Sequence, residues 1–318
     1  MTNVRFDSRV AIVTGAGGGL GRTYALDIAR RGGAVVVNDL GGTFDGQGNS
    51  TSMADKVVDE IHEAGGKAVA SYDSVATPAG GEAIVRKAVD AFGRVDVVIN
   101  NAGTLRNAPF DELPDSTLDM MLDVHLKGAF YVTRPAYRLM KAQKYGRILF
   151  ASSAAGMLGN DDQAAYGAAK AGLVGLMNVL SQEGRAHDVL CNALLPTAMS
   201  RMAGAMSDSL MQKVGGLYGP VYDKVGNSGN PEFVTPLVTY LVSEACRSTH
   251  AIYSATNGRY ARAFIGLGYG WMGPRDGPAT ADDVAAHFEQ VSSTERYFIP
   301  DSLTDEFVHL IERMKQGE

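Results

Sequence analysis

Tyr166 and Lys170 stand four residues apart in Tyr166-Gly-Ala-Ala-Lys170, thirteen residues after Ser153. On a helix this spacing puts both side chains on one face, about one turn apart. A free tyrosine ionises near pH ~10, too high for an efficient proton acceptor at neutrality. A neighbouring ammonium favours the phenolate. The spacing therefore predicts that Lys170 lowers the Tyr166 pKa and makes the phenol a general acid/base for alcohol–ketone chemistry. Taken alone the pair is a weak signal, because tyrosine and lysine also meet on solvated helix faces. Its meaning rests on the elements that position it.

The chain has 318 residues, enough for one large α/β domain or two small ones. A formal net charge of −6 argues against nucleic acid or an anionic membrane as partner. No apolar run approaches the roughly 20 residues that cross a bilayer. The segment Met1–Asp7 lacks the apolar core of a signal peptide, so a cytoplasmic location is expected. Cys191 and Cys246, the only cysteines, read as thiols rather than a disulfide. Neither has metal-ligand spacing, and no metal is expected.

Short apolar runs alternate with helix-period segments. Strands are predicted at Arg9–Thr14, Ala34–Asn38, Lys67–Ser71, Asp96–Asn100, Gly146–Ser152 and Val189–Leu195. Helices are predicted near 20–31, 51–64, 79–92, 112–143 and 163–185. Continuous apolar strands separated by helices predict a doubly wound parallel sheet, the Rossmann arrangement. Beyond Leu195 the pattern changes. Residues 196–230 are rich in Met, Gly and Ser and read as a substrate lid. A helix near 231–244 and a glycine-rich strand near 261–269 are expected to complete the sheet. Two amphipathic pieces, near 281–291 and 303–315, occupy the tail.

The first strand runs into Thr14-Gly15-Ala-Gly17-Gly18-Gly19-Leu20-Gly21. Glycines at such a turn let the backbone approach a pyrophosphate at the N-terminus of the following helix. The second strand ends on Asp39, whose carboxylate suits the two adenosine ribose hydroxyls and repels a 2′-phosphate, pointing to NAD rather than NADP. No arginine follows Asp39 in the turn; Arg22 is the residue able to oppose that preference. Asp73 and Ser74 end the third strand and Asn100, Asn101, Ala102 and Gly103 the fourth. This collects polar and small residues along the edge where open α/β sheets bind ligands. The cofactor candidates are thus Gly15, Gly19, Leu20, Asp39, Asp73, Ser74, Asn101, Ala102 and Gly103, with Tyr166 and Lys170. The organisation expected is a single NAD-binding domain with a core at 6–272, a lid at 196–230 and an extension at 273–318.

With the glycine turn, Asn100-Asn-Ala-Gly103, Ser153 and Tyr166…Lys170 in order, the chain resembles the short-chain dehydrogenase/reductase family. The resemblance implies that Ser153 bonds the substrate oxygen, Tyr166 exchanges the proton and Lys170 binds the nicotinamide ribose while lowering the tyrosine pKa. It also implies a homodimer or homotetramer. A nearer likeness is carried by Asn38-Asp39-Leu-Gly41-Gly42, Tyr72-Asp73-Ser74-Val75, Val124-His125-Leu-Lys-Gly128, Lys144-Tyr-Gly-Arg-Ile148 and Ser200-Arg201-Met202. These are similar to the NAD-dependent (3R)-hydroxyacyl-CoA dehydrogenase units of peroxisomal type 2 multifunctional enzymes, also grouped as type 4 17β-hydroxysteroid dehydrogenases. The likeness covers about 6–205 and, more thinly, 231–273.

That likeness implies a free-standing dehydrogenase for a 3-hydroxyacyl-CoA, steroid side-chain thioesters included. Arg106, Arg201, Lys213 and Arg262 are candidate partners for the CoA nucleotide. Alternatives are a dehydrogenase for a free hydroxysteroid or other secondary alcohol, a 3-ketoacyl reductase using NADPH, and a catalytically dead nucleotide sensor. Two positions depart from the family pattern. His125 stands where many members have Asn, and Pro196-Thr197 replaces a usual Pro-Gly.

Overall fold

The computed structural model describes residues 4–43, 48, 50–198, 215–216 and 226–316. Most of the expected lid, with Arg201 and Lys213, lies outside the described residues. The chain forms two compact units, Met1–Arg262 and Ala263–Glu318. The extension therefore starts earlier than the expected residue 273.

The first unit is built on an eight-stranded sheet of order β3-β2-β1-β4-β5-β6-β7-β8. Its strands are β1 (Val10–Thr14), β2 (Ala34–Asn38), β3 (Lys67–Ser71), β4 (Val97–Asn100), β5 (Gly146–Ala151), β6 (Val189–Thr197), β7 (Ala251–Thr256) and β8 (Arg259–Ala263). Strands β1 to β7 pair in parallel. Every residue of β1, β2, β4 and β5 is buried, the reason these runs are apolar without alternation. The order reverses between β1 and β4, and a crevice opens at such a switch point beyond the strand C-termini.

The helices that cover the sheet begin and end close to expectation. They are α1 (Gly19–Arg30), α2 (Ser52–Glu63), α3 (Pro78–Phe92) and α7 (Ala164–Gly184). Thr77 caps α3 by accepting from the Gly80 N–H at 3.1 Å, and the helix stops at Gly93 with φ +79. The expected helix over 112–143 is instead α4 (Asp115–Met121), a π-helical turn (Leu122–Lys127) and α5 (Gly128–Gln143). Periodicity could not show this, because one extra residue in a turn leaves the apolar pattern on either side intact. Two short helices, α6 (Ala154–Leu158) and α8 (Thr235–Leu241), complete this unit's α-helices among the described residues.

The end of the sheet corrects the expected strand at 261–269. Asn257 (φ +49) and Gly258 (φ +78) form a two-residue turn from β7 into β8, the backbone signs of a tight hairpin. Leu267–Gly268 (β9) pairs instead, antiparallel, with Tyr297–Phe298 (β10) inside the second unit. That unit also holds α9 (Ala281–Ala286), α10 (Phe288–Ser292) and α11 (Leu303–Lys315), with capping boxes at Thr280 and Ser302.

At the N-terminal edge of the sheet Asp96 is fully buried. It accepts from the Val10 N–H at 2.9 Å, from Arg9 at 3.2 Å and from Arg94 at 2.6 and 2.7 Å. This carboxylate ties the starts of β1 and β4 together. Asp96→Ala is expected to lower the unfolding free energy by about 3 kcal/mol, because the guanidiniums and the N–H lose their common acceptor. Urea unfolding followed by circular dichroism measures the loss.

Candidate active site

A groove runs along the C-terminal ends of β1 to β4. It is lined by Gly15, Gly19, Leu20, Asp39, Asp73, Ser74, Asn101, Ala102 and Gly103, together with Leu40, Val75, Thr104, Met120 and Val124. Nine candidates scattered over the first hundred residues thus meet on one surface. Tyr166 and Lys170 come from elsewhere, on α7; Lys170 lines a small adjoining cavity with Asn100, Ala102 and His125.

The glycine turn is glycine for steric reasons. Gly15 has φ +65, and a Cβ there would lie 2.8 Å from the Ala102 Cα; one on Gly17 would lie 2.9 Å from the Asp39 carboxylate. Gly18 precedes helix α1 and provides no side-chain cap, and the helix has no acid in its first turn. Its first N–H groups and the positive end of its dipole are therefore open to an anion. Thr14 Oγ holds the turn in place by accepting the N–H groups of Asn101 and Ala102, both at 3.0 Å. The Asn101 amide returns the tie to the Thr14 and Gly15 carbonyls at 3.0 and 3.2 Å.

Asp39 accepts the Gly17 N–H at 2.8 Å on one oxygen and the Gly41 N–H at 2.7 Å on the other. Each carboxylate oxygen keeps a free lone-pair direction for a ribose hydroxyl. Arg22, the cation able to favour a 2′-phosphate, is paired with Glu60 through two guanidinium nitrogens. Asp73 accepts the Ser71 hydroxyl at 3.0 Å, and its backbone carbonyl accepts the Asn38 amide at 2.9 Å. These residues fit an adenine dinucleotide.

Ser153 follows β5 and caps α6, accepting the Ala155 N–H at 3.1 Å. Its side chain is near enough to the Tyr166 phenol to lower that group's pKa. Gly156 lets α6 sit against α7, since a Cβ there would lie 2.9 Å from the Lys170 Cβ. Lys170 is buried, with Nζ donating to the Ala151 carbonyl at 2.6 Å and lying 5.6 Å from the Tyr166 ring centroid. Ser153, Tyr166 and Lys170 therefore do come together.

The electrostatics differ from the expectation. Burial raises the Tyr166 pKa above its ordinary value, and the neighbouring Ser153 side chain only partly opposes this. Burial also lowers Lys170 to about 7. Low polarity disfavours phenolate and ammonium alike, so in the unliganded chain the labile proton near neutrality belongs to Lys170, not Tyr166.

His125 sits on the π-helical turn, buried, with its ring 5.2 Å from that of Tyr166 in an edge-on arrangement. Nε2 lies 2.7 Å from the Thr104 carbonyl and 3.3 Å from the Thr104 backbone nitrogen. Desolvation, and next the nearby Lys170, hold its pKa well below the usual histidine range; the ring is neutral. Gly103 makes room for it, since a Cβ there would come within 2.6 Å of the imidazole. Among the described residues no group of three or more His, Cys, Asp or Glu could hold a metal ion. No helix among them is long and apolar enough to cross a membrane.

The family model for short chain dehydrogenases matches residues 9–211, and the chain belongs to that family. Peroxisomal multifunctional enzyme type 2 of Mus musculus is 42% identical over 323 residues, covering 97% of this chain and 40% of that protein. A short-chain type dehydrogenase/reductase of Mycobacterium tuberculosis is 43% identical, covering 89% of this chain and 94% of its own length. The chain thus spans less than half of the mouse enzyme but nearly all of the mycobacterial one. Among solved structures, full-length peroxisomal multifunctional enzyme type 2 from Drosophila melanogaster superposes with a TM-score of 0.78 at 34% identity, over 98% of this chain and 50% of that one. A short chain dehydrogenase from Mycobacterium avium gives 0.75 at 34%, over 91% and 97%.

Lys170 yields a thermodynamic prediction. Its folded pKa of about 7 lies below the roughly 10.4 of a free lysine, so above pH 7 the unfolded chain binds one more proton at this residue. Stability from this residue therefore rises with pH through the window above 7. Between pH 7 and 8.5 the unfolding free energy of the wild type should gain on that of Lys170→Met with a slope approaching about 1.4 kcal/mol per pH unit. Parallel urea unfolding series at several pH values test it; a difference independent of pH contradicts it.

Proposed function

We propose that this oxidoreductase oxidises the 3-hydroxyl of an acyl-CoA thioester to a ketone with NAD as acceptor. The observation that carries the reaction type is the grouping of Ser153 and Tyr166 beside Lys170, next to the dinucleotide groove. NAD, when bound, supplies the hydride acceptor. Gly15, Gly19, Leu20, Asp39, Asp73, Ser74, Asn101, Ala102 and Gly103 would hold it. Ser153 orients the substrate hydroxyl, and Tyr166 takes its proton as the carbonyl forms. Lys170 stabilises the phenolate, supported from below by the Ala151 carbonyl.

Asp39 and the pairing of Arg22 with Glu60 support NAD over NADP, which also disfavours an NADPH-dependent ketoacyl reductase. The 42% identity to a multifunctional enzyme over nearly the whole chain supports the thioester substrate. A 7α-hydroxysteroid dehydrogenase solved with NADH shares the fold at 24% identity and a TM-score of 0.69; a free hydroxysteroid is the second reading. Retention of Ser153, Tyr166 and Lys170 opposes a dead nucleotide sensor. The reading includes a homodimer or homotetramer. It also keeps the cytoplasmic location, which suits the two free, buried thiols Cys191 and Cys246.

Following NADH formation across 3-hydroxyacyl-CoA thioesters and free hydroxysteroids decides the substrate; turnover confined to the steroids would replace the first reading by the second. Tyr166→Phe should reduce kcat by about 10²-fold or more while NADH affinity stays unchanged. Asp39→Ser should erode the preference for NAD over NADP by about 10- to 100-fold, as charge-assisted bonds to the ribose are lost. Equal use of both cofactors by the wild type would refute the role of Asp39.

A further inference from the structure

The C-terminal helix α11 packs with its polar side inward. Asp305 accepts the Asp301 and Ser302 N–H groups at 2.8 and 3.1 Å. The His309 ring stacks 4.0 Å from that of Phe298 on β10, and Arg313 donates to the Tyr269 carbonyl just after β9. Asp305, His309 and Arg313 are the half-buried positions of the helix. Leu303, Phe307, Leu310, Ile311 and Met314 follow the three- and four-residue spacing of another face. All five are exposed, from 36% to 71%, and no residue of the helix is buried. An amphipathic helix ordinarily packs the other way round, because removing apolar area from water is what drives packing.

We propose that this stripe is an interface between copies of the chain, with α11 of one copy pairing antiparallel with α11 of a second about a two-fold axis. The spacing is self-complementary. Leu303, Phe307, Leu310 and Met314 step by four, three and four residues, the seam of a helix pair. Run antiparallel, Leu303 meets the second copy's Met314 and Phe307 meets its Leu310. Each contact recurs by symmetry, as an isologous interface requires. The charges select the same direction. The first turn carries Asp305 and Glu306, and the last carries Arg313 and Lys315 with a single acid, Glu312. Antiparallel pairing sets each acidic end beside a basic one and opposes the two helix dipoles; parallel pairing puts like beside like.

The second unit also has the area. Thirteen of its large apolar side chains are exposed, on the order of 1,000 Å² in all, against the ~800 Å² that each partner gives to a stable interface. A second copy is an occupant that free-standing relatives share. The first unit ends at Arg262, so the Mycobacterium tuberculosis match, over 89% of the 318 residues, reaches into the second unit. That match takes up 94% of the mycobacterial protein, which leaves no length there for the further domains of a multifunctional enzyme. An anionic lipid surface is disfavoured, because residues 263–318 hold ten acids and four bases.

Phe307→Glu combined with Leu310→Glu places like charges across the seam and spares the fold, since both side chains are exposed in the single chain. Sedimentation equilibrium should give half the particle mass of the wild type, with circular dichroism unchanged. Leu303→Cys combined with Met314→Cys should form a covalent dimer on mild oxidation; Cys191 and Cys246 are buried and do not compete. Leu303→Cys alone should not, because eleven residues of helix, about 16 Å, separate its two copies in an antiparallel pair. An unchanged mass in the charged variant, a monomeric wild type, or cross-linking through Leu303→Cys alone overturns the proposal. Wild-type pelleting with phosphatidylglycerol vesicles that the charged variant loses also overturns it, and assigns the stripe to lipid. None of these outcomes touches the dehydrogenase reading, which NADH formation tests separately.

Discussion

The junction between the ends of the parallel neighbours β1 and β4, at Thr14 and Asn101, is the constraint on which the site depends. One threonine hydroxyl accepts two backbone N–H groups from the β4 exit, and one asparagine amide returns two bonds to the β1 exit. The sheet order reverses at this point, so the two loops diverge and leave a crevice between them. The reciprocal bonds keep that crevice at a fixed width. Gly15 must then pass Ala102 without a Cβ, and Gly103 must pass His125 likewise. The path of the glycine turn, the floor of the groove and the seat of His125 all follow from this junction.

Burial governs the chemistry at the other end. α6 and α7 meet closely at Gly156, so Lys170 is withdrawn from water while Tyr166 is half-buried. Desolvation raises the phenol and lowers the ammonium to about 7, so the phenol rests neutral while Lys170 exchanges its proton near neutrality. His125, neutral beside Lys170, adds no competing cation.

Much of this was legible from residue pattern. Six strands and four helices stand within about two residues of expectation, because strands buried on both faces need continuous apolar runs and long helices need a repeating stripe. The Asn257-Gly258 turn was readable as well, since that dipeptide adopts the two positive φ values a tight hairpin needs; the mixed Ser, Thr and Tyr content of β7 hid it. The π-helical turn carrying His125 was not readable. Neither was the pairing of Arg22 with Glu60, which joins residues 38 positions apart on separate helices.

Residue types and spacing were enough for the family, the glycine turn, the acid ending β2 and the Ser153, Tyr166 and Lys170 set. These rest on local geometry: backbone reach, helical periodicity and strand ends. The tertiary structure decided what those groups feel. It reversed the expected direction of the Tyr166 shift, assigned both oxygens of Asp39 to backbone partners and paired Arg22 with Glu60. Each of these depends on burial or on a partner distant in the chain, and neither quantity is written in the order of residues.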